Sequence, residues 1–277
     1  MGETLYMLQR MTLTLEELGL CLMLCGYEEA AAGLVKPTLG EKTDLEWEAI
    51  FETASHSLLA KGIWDIERQK QEQIPLKAEI VAFISSYIES SKMLRFTKEK
   101  DGIEQYLMFH SLEEDEWIYH YVWETVCHDF SLVKTSQLQG LIDEFYDVES
   151  NALQDNLSII VPEEVMVILS QENLQQSSVE QLTSLVDTRN QKLFSAFLQD
   201  LKEHPSSIDN VSVTYLPSPT EYPTIMDVMF ILSHKERLWV ISQHDEEQGR
   251  PIYLTSCSYQ AWTEEVERRI GMPMPVA

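Results

Sequence analysis

Glycine is sparse in this sequence, ten residues in 277. Neither G-x-x-x-x-G-K-[ST] nor G-x-G-x-x-G occurs, so the backbone-amide cradles that such loops offer to phosphates are missing. No G-x-S-x-G turn lifts a serine onto a nucleophile elbow. Four cysteines cannot form a disulfide framework in a chain of this length, and zinc-type Cys/His pairs are absent. Cys21 and Cys25 stand four residues apart on a Leu-rich helical segment, where free cysteine serves as a small apolar core residue. Long apolar runs are also missing. Leu18–Leu24 is short, and Glu16 and Glu17 precede it where a secretory signal needs positive charge. No stretch reaches the length of a bilayer span, and Tyr6 stands where myristoylation of Gly2 favours Ser or Thr. A cytoplasmic protein is the expectation.

Basic residues are the other shortage: 20 Lys and Arg face 46 Asp and Glu, a net charge of −26. The excess is spread over both halves rather than gathered in a tail. A field of that sign repels phosphate backbones and anionic lipid, which argues against nucleic acid and membrane insertion. It also keeps the chain soluble.

What is present is a folding pattern. The 44% hydrophobic content is that of a globular chain with a core. Thr14-Leu15-Glu16-Glu17 and Thr43-Asp44-Leu45-Glu46 read as capping boxes. Apolar stripes follow each: Leu15, Leu18 and Leu22 up to Gly26, then Trp47, Ile50, Phe51, Ala54 and Leu58 up to Gly62. Pro75 is placed in the first turn of a third helix carrying Leu76, Ile80, Phe83, Ile84 and Tyr87. The period then shortens. MLRFT, a turn at KEKDG, QYLMFHS, an acidic turn LEEDE, WIYHYVWETV and a weaker SLVK read as antiparallel strands. Ser136-Gln137-Leu138-Gln139 is read as a cap for a closing helix bearing Leu138, Leu141, Ile142 and Phe145.

The order then repeats. Helices are expected from Pro162 with Val165, Ile168 and Leu169, from a cap at Ser177–Glu180, and along Leu193, Phe194, Phe197 and Leu201. VSVTYL, IMDVMFILS, LWVIS and PIYLTS follow as strands, and a helix with Trp262, Val266 and Ile270 closes the chain before Gly271 and Pro273. Laid without gaps, one hairpin matches the other: Ser111 with Ser233, Glu114 with Glu236, Trp117 with Trp239. The dipeptide Thr135-Ser136 finds a counterpart in Thr255-Ser256. The predicted fold is α+β, two pseudo-symmetric helix-helix-helix-strands-helix halves around antiparallel sheet. The halves are residues 1–150 and 151–277, packed as one unit.

Candidate chemistry is thin, and no catalytic, metal or cofactor residue is assigned. Cys127 and His128 are neighbours on a strand and point to opposite faces. His110 and His120 could meet across a hairpin, with His128 on the same sheet. The carboxylates of LEEDEW suit a solvated turn. Trp117, Tyr119, Tyr121 and Trp123 share one strand face, which is either core or an aromatic partner surface.

The opening TLEELGLCLMLCG and the helix end LLAKGIWD, together with the element order of the whole chain, resemble the EspG-type chaperones of type VII (ESX) secretion systems. The sequence departs from actinobacterial members, which are rich in Ala, Gly and Arg, in being rich in Glu, Gln, Ser and Ile. The resemblance implies a non-enzymatic cytosolic chaperone or adaptor. Its partner would be a secreted helical protein or helical heterodimer, with the secretion ATPase as a further partner and no cofactor. By element order, it implies partner contacts from the turn at Lys98, Glu99, Lys100 and Asp101 and from the last helix at Tyr259, Trp262 and Val266. Two other readings stay open: an acidic immunity protein that neutralises a basic toxin domain, and an enzyme with a dispersed site.

Overall fold

Thr14 ends a short strand and starts a helix in one residue. Its hydroxyl accepts from the Glu17 N–H at 3.3 Å while Glu17 accepts from the Thr14 N–H at 2.7 Å, the reciprocal bonding of a capping box. Thr43 and Glu46 do the same two helices later. The computed structural model describes residues 10–113, 115–150, 156–162, 165, 176–204, 208–217, 222–234, 237–243 and 252–273.

The first half runs β1 (Met11–Thr14), α1 (Leu15–Leu24), α2 (Glu28–Leu39), α3 (Asp44–Ala60), α4 (Ile66–Lys70), α5 (Ala78–Ile88), β2 (Lys92–Lys100), β3 (Ile103–Ser111), β4 (Glu116–Trp123), β5 (Cys127–Lys134) and α6 (Thr135–Phe145). The second runs β6 (Leu157–Val161), α7 (Gln176–Leu185), α8 (Gln191–Glu203), β7 (Asp209–Tyr215), β8 (Thr224–His234), β9 (Arg237–Gln243), β10 (Ile252–Ser256) and α9 (Tyr259–Ile270). All ten strands form one antiparallel sheet in the order β1-β5-β4-β3-β2-β7-β8-β9-β10-β6. The order reads alike from both ends toward the centre: an edge strand that precedes the helices, then four strands in reverse chain order. The halves meet where β2 pairs with β7, Arg95 opposite Ser212. The expected α+β fold with two like halves is therefore what the chain adopts.

Strand pleating sends alternate residues to opposite faces. On one face Leu94, Phe96, Phe109, Trp117, Val213, Met229 and Val240 pack against α6 and α9 through Leu138, Ile142, Trp262 and Val266. On the other face the cover is divided. Helices α1, α2, α3 and α5 lie over Leu13, Ile118 and Phe130 of β1, β4 and β5. Helices α7 and α8 lie over Ile159, Trp239, Ile241 and Leu254 of β6, β9 and β10. Gly19 lets α1 approach α2 closely, since a Cβ there would sit 2.6 Å from Val35 Cγ1.

Several boundaries differ from the sequence reading. Strands β1 and β6 were not anticipated, nor were α2 and α4. The strand read as MLRFT continues to Lys100, so the expected five-residue turn shrinks to Asp101-Gly102, both at positive φ (55° and 77°). That geometry matches the right-handed twist of a two-residue hairpin and requires Asp, Asn or Gly. Pro75 and Leu76 lie before α5, which starts at Ala78, and Leu76 bridges to Trp64 instead. The cap of α6 is Lys134, whose N–H is accepted by Gln137 at 2.9 Å, not Ser136. Ser177 lies within α7 rather than capping it. Thr255 and Ser256 belong to β10, while Thr135 opens α6, so those dipeptides are not equivalent. Ile168, Leu169, Glu114 and Glu236 lie outside the described residues.

Candidate functional site

The strand registers give a continuous row of side chains across the divided face. It runs Leu13, His128, Val122, Tyr106, Thr97, Asn210, Phe230, Ile241, Leu254, Ile159, one residue from each strand. The three residues at either end are buried, whereas Tyr106, Thr97 and Asn210 are half-buried and Phe230 is 44% exposed. From the first flank to β8 the next row is graded in the same way: Phe130 and His120 are buried, Met108, Arg95 and Ser212 half-buried, and Val228 is 37% exposed. Among the described residues, then, the helical layers cover both flanks of this face and leave β3, β2, β7 and β8 as an open floor. From β4 to β9 there are five strand spacings, about 24 Å at ~4.8 Å each. Half a helix diameter on each flank leaves roughly 12–14 Å, the width of one α-helix with its side chains.

The floor is apolar toward β8, where Val228 and Phe230 continue the surface that α8 covers at Ile241. It is polar at its centre, with Thr97, Asn210 and Ser212. Arg95 lies there with its guanidinium over the Tyr106 ring, 4.7 Å from the centroid. Toward the β2–β3 turn, Glu99 and Glu104 are cross-strand partners on this same face, and the Tyr106 hydroxyl donates to the Glu104 carboxylate.

Beneath the α5 side of the floor lies a group that the sequence foreshadowed only as a hairpin contact. His110, His120 and His128 sit on three adjacent strands, all buried. The His110 and His120 ring centroids are 5.9 Å apart, and His120 Nε2 lies 2.9 Å from His128 Nδ1. Tyr87 closes over them, 4.6 Å from His110, and Phe130 stacks on His120 at 4.3 Å. Burial holds all three below the usual histidine range, His110 at about 3 and His128 at about 4, with His120 depressed also by its two neighbours. They are neutral core rings, as expected where solvent is excluded. They follow one another along the sheet instead of converging, and no group of three metal-ligating side chains able to hold an ion occurs among the described residues.

The sequence-derived partner residues fare unequally. Trp262 and Val266 face the sheet and are buried in the core. They cannot offer a partner surface: the element order of the resemblance pointed to this helix, but its apolar stripe packs α9 onto the sheet. The Trp262 indole N–H and the Tyr259 hydroxyl both donate to Asp143, each at 2.7 Å, tying α9 to α6. Lys98 donates to the Phe145 carbonyl and lies 3.4 Å from Asp147. The Glu99 N–H donates to Asp209. Lys100 and Asp101 remain exposed at the hairpin tip. Of the aromatic strand, Trp117 is core, Tyr119 and Tyr121 are half-buried, and only Trp123 reaches solvent. A separate cleft of about 530 Å³ between α1 and α3, lined by Thr14, Ala49, Ile50 and Thr53, has at its base Glu17, already engaged by Ser57 at 2.5 Å and Lys61 at 2.6 Å. No helix is long and apolar enough to cross a membrane among the described residues.

Comparison with known proteins finds a similar curated protein and a matching family. The curated protein "Uncharacterized protein YfjC" of Bacillus subtilis (strain 168) is 22% identical over 239 residues, which cover 85% of this chain and 91% of that protein. The family described as "Uncharacterised protein YfjC" matches residues 10–259, from β1 to the start of α9. This chain belongs to the YfjC family.

Proposed function

We propose that the protein is a non-enzymatic chaperone or adaptor that holds one helix of a partner protein on the open floor of its sheet. The observation that carries this reading is the exposure of Phe230 in a row whose two ends are buried, with Val228 exposed beside it. A helix laid there completes the layer that the flanking helices begin, and its apolar face covers what α8 leaves bare. The mechanism is mass action: a helix bound in the groove is withdrawn from aggregation and released when a stronger site competes for it. The EspG-type likeness supports an export substrate of a type VII secretion system as the partner and the cytosol as the place of binding. In this reading contact comes from the sheet face, not from the hairpin tip and last helix.

Co-expression with the products of neighbouring genes, followed by size-exclusion chromatography, tests the proposal. A stable complex with a helical partner, lost in Phe230→Asp, is expected. Migration as a free protein in every pairing, or a complex indifferent to Phe230→Asp, would refute it. The net charge of −26 favours a second reading, an immunity protein for a basic toxin domain. Association that collapses between low and high salt, with rescue of toxin-killed cells, distinguishes that reading from an apolar groove.

A further inference from the structure

We infer that Arg95 reads a carboxylate on the apolar face of the helix held in the groove; this deepens the reading above and rests on it. In so acidic a chain, arginines find carboxylates readily. Arg10 pairs with Asp129, Arg189 with Asp187, Arg237 with Asp200, Arg268 with Asp227 and Arg269 with Glu265. Arg68 donates to the Ile74 carbonyl. Arg95 has no carboxylate within ion-pair distance among the described residues; its neighbour is the face of Tyr106. It is half-buried at the centre of the floor, between Met108 and Ser212 and one row from Phe230. Covering it with an apolar surface would strip water from a cation that has no carboxylate partner, which is costly. Covering it with a helix that carries one Asp or Glu gives a charge-assisted, bidentate contact instead.

The occupant is thus an amphipathic helix running along β2 and β7, with an apolar face toward Met108, Val228 and Phe230 and a carboxylate over Arg95. A nucleic acid strand would also supply anions, but it meets the repulsion of the whole chain.

Two fluorescently labelled 21-residue amphipathic peptides test this. They share a Leu/Ala face and differ only in a central Glu or Lys within it. Anisotropy titrations against the full-length chain should show the Glu peptide binding about tenfold tighter, the scale of one charge-assisted hydrogen-bonded contact. Arg95→Gln should remove the preference and Arg95→Glu invert it, while Phe230→Asp should weaken both peptides. Equal affinities for the wild-type chain, or a preference that survives Arg95→Glu, overturns the role of Arg95 but leaves the groove standing if Phe230→Asp still weakens binding. Failure of both peptides to bind overturns the groove and Arg95 together. Unchanged circular dichroism of the Arg95 variants separates lost recognition from lost folding.

Discussion

Trp117 and Trp239 lie on corresponding strands, β4 and β9, and point to opposite faces of the sheet. Trp117 packs toward α6 and α9, and Trp239 toward α8. Ser111 pairs with Trp117, but its counterpart Ser233 pairs with Leu238. The second hairpin connection is one residue shorter, and a one-residue slip sends every later side chain to the other face. Trp239 therefore corresponds to Ile118. Each tryptophan has its own polar partner: Trp117 Nε1 donates to Thr135 at 2.9 Å, and Trp239 Nε1 to Asp200 at 2.8 Å.

Asp200 is the more exacting of these partners. It is buried, accepts two bonds of 2.6 Å from Arg237, and accepts the indole N–H as well. Asp200→Ala would leave a buried donor and a half-exposed guanidinium without their acceptor. A loss of roughly 3 kcal/mol is expected, with a smaller loss for Asp200→Asn, measured by urea unfolding at neutral pH. Equal stability of the alanine variant would show that the three bonds do not hold α8 to β9.

The buried histidines give stability a pH dependence of known sign. Folded, their protonation is suppressed to about 3 for His110 and about 4 for His128; unfolded, such rings protonate near 6.5. Below that value the unfolded chain binds more protons, so the stability present above pH 6.5 is lost as pH falls toward 4. His110→Phe removes a ring whose nitrogens make no hydrogen bond and keeps an apolar body under Tyr87. Its unfolding midpoint should fall less between pH 7.5 and 5 than that of the natural chain. An identical fall would show that His110 does not contribute to the slope.

Asp209 acts in the opposite direction. Burial pushes its carboxyl up to about 7, against the bond from the Glu99 N–H and the field of Lys98. The folded state keeps a proton that the unfolded chain releases near pH 4, so stability is complete below that and is lost as pH rises toward 7. Asp209→Asn should raise the thermal midpoint at pH 8 more than at pH 5. A gain of the same size at both would assign the effect to packing.

Element order was legible in the sequence because caps and apolar periods announce helices and strands locally. The capping boxes at Thr14 and Thr43, the strand β4 and the closing stripe of α9 all stand where those signals put them. The strands β1 and β6 were hidden for a physical reason: at four and five residues neither completes enough of an alternating period to be distinguished from a helix approach. The face assignment of Trp239 was hidden by a turn length, which no local pattern records. The open floor was least legible of all. Arg95, Tyr106, Ser212 and Phe230 come from four strands of both halves, and each by itself reads as an ordinary alternating strand position. Trp262 and Val266 were assigned by element order alone, which places a helix along the chain but does not say which of its faces is covered.

The floor can be separated from the core by its effect on folding. Val228 and Phe230 keep more than a third of their surface in water, so replacing them removes less buried apolar area than replacing a core residue does. Their strand needs residues compatible with an extended backbone, which threonine supplies. The double variant Val228→Thr, Phe230→Thr should therefore keep its unfolding free energy within about 1 kcal/mol of the natural chain, near the range of surface substitutions, while losing the helical partner on a sizing column. Met229→Thr on the same strand serves as the control. Met229 is buried under α6 and α9, and placing a hydroxyl there should cost about 2–4 kcal/mol through lost volume and a buried polar group. If the exposed pair destabilises the fold as much as Met229→Thr, then Val228 and Phe230 are core, the sheet has no open floor, and a partner helix has nowhere to lie.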